Sequence, residues 1–146
     1  MAGRAQPEGG NVSGTFTDAG ALAAALERAG VAATAAVRTS MHHSAQSLRQ
    51  RVQQNASGRP GPNVITGRYR SSWHAEVTGA GPVVIAEVGT SAAQARRLEF
   101  GFSGADSLGR VYHQPPFPHL GPAVQQAGPE LVRDLGSALG AALWTS

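Results

Sequence analysis

The groups able to do chemistry in this chain are five histidines, nine carboxylates, scattered serines and twelve arginines, with no cysteine and no lysine. A hydrolytic triad needs a nucleophile, a histidine and a carboxylate gathered in space. No serine stands in a Gly-x-Ser-x-Gly elbow, and Ser103, in Phe102-Ser103-Gly104, reads as a loop serine. His42 and His43 are adjacent, so on a helix they diverge by about 100° and are poorly placed to share one ion. His113 and His119 are separated by a proline-rich bend, with Asp106 the nearest acid. They read as surface or hydrogen-bonded residues, and His74 as an exposed residue on the polar face of a strand. The acids stand singly, and Glu76 and Glu87 read as surface residues of facing strands. Gly101-x-x-Gly104 lacks the Lys-Ser/Thr pair and the helix start of a phosphate loop. The expectation is a non-catalytic chain with no cofactor-binding residues and no metal ligands.

What remains are basic and aromatic runs. Arg68 and Arg70 flank Tyr69 in Thr66-Gly67-Arg68-Tyr69-Arg70-Ser71-Ser72-Trp73, and Arg96 and Arg97 precede Leu98-Glu99-Phe100-Gly101. These arginines read either as a solvated face with ion pairs to Glu99 and its neighbours, or as inter-subunit pairs or a basic lining facing DNA. In a ring, even modest charges add around the lumen. Phe100 and Phe102 bracket Gly101; either both enter the core or one is an exposed interface anchor, since aromatic anchors dominate interface energetics. Trp73 reads as core, and Phe117 sits in the proline-rich run. Net charge is +3 with a pI near 10.6, compatible with nearby nucleic acid. The positive charges are scattered, however, which weighs against specific recognition.

The elements that must position these residues follow from periodicity. Residues 1–16 are rich in Gly and polar residues and read as a flexible arm; residues 17–146 read as a single domain. Thr17-Asp18 offers an N-cap. Leu22, Leu26, Ala29, Ala33, Val37, Met41, Ala45, Leu48 and Val52 then recur at helical steps. A helix from Ala19 to Gln54 would be about 54 Å long, with Gly30 a place to bend or break it. Its thin, Ala-rich stripe suits close packing on a sheet or another subunit.

Ser57-Gly58-Arg59-Pro60-Gly61-Pro62 stops that helix. Ser72 to Val77 alternates as a strand, and Val83 to Val88 forms a second across the Gly79-Ala80-Gly81-Pro82 turn, together a hairpin. Ala92 to Glu99 predicts a short helix with Ala95 and Leu98 facing inward, ended by Gly101. Phe102 to Gly109 reads as a mobile polar loop, and Arg110 to Gln114 as a third short strand. Helical spacing returns from Leu120, with Pro122 in the first turn and Pro129 expected to kink or split the helix. The expected fold is α+β, with a long N-terminal helix and a C-terminal helix packed on a small antiparallel sheet. No apolar run approaches the ~20 residues of a membrane span. Met1 to Gly10 lacks the apolar stretch of a signal peptide, so the chain is expected to be soluble and made in a cytoplasm.

The order of these pieces resembles the small tail-component family of long-tailed bacteriophages, the neck or tail-completion proteins. The matching runs are Pro62 through Ser72, Ala95 through Gly101, and Pro116-Phe117-Pro118-His119-Leu120-Gly121-Pro122-Ala123. The resemblance spans about residues 17–140 and lies in the order of the motifs more than in any one of them. Ile65 stands where the family has an acid before Thr-Gly, and the aromatic expected near Ala95 is missing.

The resemblance implies a virion structural protein at the joint of head and tail, a subunit of a ring that is commonly sixfold. Neighbouring head-completion and tail-tube or tail-terminator proteins would be its partners, with non-specific contact to genomic DNA in the channel and no membrane. Arg68, Arg70, Arg96, Arg97, Glu99, Phe100, Phe102 and Phe117 become the candidates for subunit interface or channel. Other readings are a tail terminator or head-closure ring protein, or a small basic nucleic-acid-binding module.

Overall fold

The computed structural model describes residues 18–145; the expected arm over residues 1–16 lies outside them. Asp18 begins the helix as expected: its Oδ1 accepts from the Ala21 amide at 2.7 Å, satisfying one of the free N–H groups of the first turn. Helix α1 then runs unbroken over Ala19–Asn55, about 55 Å. Gly30 does not interrupt it. No atom lies near the missing Cβ of Gly30, so its cost is one of propensity alone. The loop that follows turns back tightly on the helix end. A Cβ on Gly61 would stand 1.9 Å from the Asn55 carbonyl oxygen, so no larger residue fits there.

The Thr66–Trp73 run does not pass straight into a strand. A single helical turn, α2 (Arg68–Ser71), comes first, entered from Gly67 in a left-handed conformation. Strands β1 (His74–Thr78) and β2 (Ile85–Gly89) form the expected hairpin, in antiparallel register from His74↔Gly89 to Thr78↔Ile85. Ala75, Val77, Ala86 and Val88 turn inward and are half-buried, while His74, Glu76, Ile85 and Glu87 face water. Both strands lie against α1.

Helix α3 (Ala95–Phe100) ends at Gly101, whose φ of 78° and ψ of 173° are open to glycine alone. A Cβ there would also meet the Gln114 carbonyl oxygen at 2.8 Å. The expected loop from Phe102 to Gly109 is instead half of a second hairpin. Strands β3 (Phe102–Ala105) and β4 (Val111–Gln114) pair antiparallel, giving two two-stranded sheets in place of one small sheet. Polar composition concealed this strand, which is only partly buried and is held by its turn.

Helix α4 (Leu120–Thr145) contains Pro129 and is not split by it. It runs antiparallel to α1. Asn55 reaches His119 at its start, Arg51 pairs with Glu130 at 2.8 Å, and Ala35 and Thr39 border a groove with Ala138. With 37 residues against 26, α1 is longer than α4 by about 16 Å. This excess matches the exposure of Leu22, Leu26 and Val31 in its first turns. By length and average composition alone α1 passes as a possible membrane span. Its many alanines raise the average without forming a continuous run of large apolar side chains.

The core is small. Val52, Trp73 and Ala123 are buried at its centre, and Leu48, Tyr69, Val88 and Leu120 pack around them. One residue thus comes from each of α1, the α2–β1 junction and α4.

Candidate functional site

The three sequence motifs meet at one point beside this core. Tyr69 comes from the Thr-Gly-Arg-Tyr-Arg run on α2, Glu99 from the Leu-Glu-Phe-Gly run on α3, and His119 from the proline-rich run before α4. The Tyr69 hydroxyl lies 2.6 Å from His119 Nε2. His119 Nδ1 lies 2.8 Å from the Phe117 carbonyl oxygen and 3.0 Å from Glu99 Oε2. Both of those oxygens accept, so Nδ1 carries the proton and Nε2 accepts from Tyr69. His119 is 1% exposed and fully satisfied. The Tyr69, Trp73 and His119 rings meet edge to face, with centroids 5.6 to 6.3 Å apart.

Glu99 is the cap of α4, supplied from another helix. Its Oε2 accepts from the His119 and Leu120 amides at 2.9 and 3.0 Å, and its Oε1 from Gly121 at 2.8 Å. These are N–H groups that a helix start leaves unpaired, and the helix dipole adds to the attraction. Burial pushes the Glu99 carboxyl up. The three backbone donors and nearby His119 overcome that and hold it below its ordinary range. Burial dominates at Tyr69 and, with the negative charge of Glu99, pushes its phenol up to about 12. The Trp73 indole offsets a part of this, although its N–H has no partner in hydrogen-bond geometry. Tyr69 therefore stays protonated and donates.

Around this junction the backbone is drawn together by further bonds. The Phe117 amide donates to the Leu98 carbonyl at 2.7 Å, the Asn55 amide group to the His119 carbonyl at 3.1 Å, and Gln53 to the Arg70 carbonyl at 3.1 Å. The Arg59 guanidinium lies 3.8 Å over the Phe117 ring. A groove of about 700 Å³ opens beside it, walled by Val64, Ile65, Leu98 and Phe117, with Arg59, Arg68 and Arg70 at its edge.

The expected interface residues divide into two groups. Glu99 and Phe117 belong to the interior junction. Among the described residues Glu99 pairs with no arginine, contrary to the reading of it as a partner for Arg96 or Arg97, because three amides already hold its carboxylate. Phe102 is half-buried under Arg97, 4.1 Å from ring centroid to guanidinium. Arg70 donates to Ser57 Oγ at 3.2 Å. Arg68 and Arg96 are exposed, with no side-chain partner among the described residues, and Phe100 is 75% exposed. The junction's two other polar members, Tyr69 and His119, were not among the candidates. Both stand inside the motifs, and the signal that marks them is their place beside the glycine and proline turns.

The arrangement fixes the backbone of three segments of the chain. No group of three metal-ligating side chains occurs among the described residues. No curated protein and no solved structure matches the chain. The family model described as "Bacteriophage HK97-gp10, putative tail-component" matches residues 20–101, from α1 through the end of α3. That stretch is more than half of the sequence and contains two of the three motifs that meet at the junction, so the chain belongs to the HK97-gp10-like family of bacteriophage tail components.

Proposed function

We propose that this chain is a non-catalytic subunit of the phage head–tail joint, a tail-completion or connector protein that assembles with copies of itself into a ring. Family membership supplies the coarser part, a tail-related structural protein associated with the virion. The observation that supports the finer part is the division of the motif residues. Tyr69, Glu99 and His119 are consumed in locking three segments together. Alongside them Arg68, Arg96, Phe100 and Ile65 are displayed to solvent. A rigid frame presenting unpaired cations and large apolar side chains suits contact with neighbouring subunits, with the arginines pairing across the interface or facing DNA in the channel.

Light scattering at several concentrations, alone and with purified DNA-filled heads, tests this. A discrete ring, or fixed-stoichiometry addition to the heads, is the expected result. A monomer indifferent to heads that binds free DNA with a steep salt dependence would overturn it in favour of a nucleic-acid-binding module.

A further inference from the structure

We infer that the β3–β4 hairpin of one subunit docks into the groove between α1, β2 and α4 of a second copy of the chain. The inference rests on the ring reading and gives it a contact.

The hairpin is built to hold its shape in solvent. Asp106 Oδ1 accepts from the Leu108 and Arg110 amides at 2.9 and 3.0 Å. Its Oδ2 accepts from Arg110 Nε at 2.7 Å and the Tyr112 hydroxyl at 3.2 Å. One carboxylate thus fixes both the turn and the strand leaving it. Yet this ordered turn carries an apolar tip: Leu108 is 75% exposed and Val111 68%. The hairpin is anchored at its base, where Phe102 lies under Arg97 and Gly101 abuts Gln114 and Pro116. Among the described residues, neither strand packs extensively against α1, α4 or β2. A two-stranded ribbon gains little stability alone, so a covering partner accounts for a tip that the described residues leave bare.

The complementary surface lies on the same chain. A groove of about 390 Å³ runs between α1, β2 and α4, walled by Met41, Leu48, Val88, Val124, Ala127 and Leu131. Glu130, already paired with Arg51, and Asp134 also line it. Asp134 is loosely engaged, 3.9 Å from Arg133. The hairpin tip carries the matching charge. Arg110 binds Asp106 through Nε and is 65% exposed, so its outer nitrogens are available to Asp134 while Leu108 and Val111 enter the groove. Knob and hole occupy different patches of one chain, which makes the contact heterologous and able to close into a ring. The hairpin follows the last residue matched to the family, so this contact is read from this chain's own residues.

The absence of cysteine gives a test without background. Full-length Leu108→Cys and Val124→Cys proteins, the second carrying a mass tag, are mixed and oxidised, and subunit number is followed by light scattering. The hetero-disulfide should form about tenfold faster than either homodimer, and Asp134→Arg on the groove chain should slow it. Leu108→Glu and Val124→Glu, both at exposed positions, should each dissociate the ring while leaving the thermal midpoint of the subunit unchanged. Rings that persist in both glutamate variants, with no hetero-disulfide, overturn the docking mode and leave the ring reading standing. A wild-type chain that stays monomeric with and without heads, and gives no hetero-disulfide, overturns both.

Discussion

Glu99 and His119 are joined twice. Glu99 Oε2 accepts from the His119 backbone amide at 2.9 Å and lies 3.0 Å from Nδ1 of the same residue's ring. The same carboxylate caps α4 through Leu120 and Gly121, so one side chain orients the imidazole and starts the helix.

Glu99→Ala should therefore destabilise the subunit by about 2–3 kcal/mol, the scale of losing hydrogen bonds to a charged acceptor. Glu99→Gln keeps an acceptor but turns an NH2 group toward a backbone N–H, and should fall between the two. Urea unfolding midpoints check this. A loss near zero for the alanine variant would mean that water replaces the carboxylate as cap.

The same carboxylate makes stability depend on acid. Its folded value is held below the ordinary 4.5, so its contribution is complete above that value and is lost as pH falls through the folded one. The wild type should lose stability below about pH 4.5 more steeply than Glu99→Gln does. Parallel acid limbs for the two proteins would contradict this assignment.

Tyr69→Phe removes the donor to a buried imidazole nitrogen and should cost about 1–2 kcal/mol. It should also change the alkaline limb. The Tyr69 phenol is raised from 10.0 to about 12, so its contribution is full below pH 10 and is lost as pH rises toward 12. The thermal midpoint of the wild type should fall across that window, and that of the Phe variant should fall less.

Gly101→Ala should cost about 1–3 kcal/mol from backbone conformation, with more added by the approach to the Gln114 carbonyl oxygen. Because Gly101 joins α3 to the second hairpin, hydrogen exchange in residues 102–114 should rise more than in α1. Uniform exchange across the chain would show that the strain is absorbed elsewhere.

Glu76 and Glu87 face each other in the β1–β2 register, both exposed. Like charges in that position repel. Glu87→Lys should stabilise the subunit by about 0.2–1 kcal/mol, most at low salt, as read by thermal melts at two ionic strengths. A salt-independent effect would locate its origin outside this pair.

The sequence by itself determined what is local and periodic. Asp18 before an apolar stripe of three- and four-residue steps specifies α1. Alternation from Trp73 to Val77 specifies β1, the Gly79-to-Pro82 turn its partner, and helical spacing after Leu120 specifies α4. These depend on backbone preference and on which face meets water, and both are written in neighbouring residues. The motifs of the family were legible for the same reason, since each is a turn or cap residue beside a short apolar run. Tertiary structure alone decided where the motifs go. Glu99 caps a helix that begins 21 residues later, and Tyr69 reaches across 50 residues to His119. No periodicity encodes such a pairing, because it exists only once α1, α3 and α4 are packed. The β3 strand escaped for a related reason: Phe102-Ser103-Gly104-Ala105 has little strand propensity and is held in place by the bonds Asp106 makes around its turn. Local grounds predict that Pro129 kinks or splits its helix, and the helix is not split. Continuous packing of α4 along α1 outweighs the one hydrogen bond that the proline forgoes.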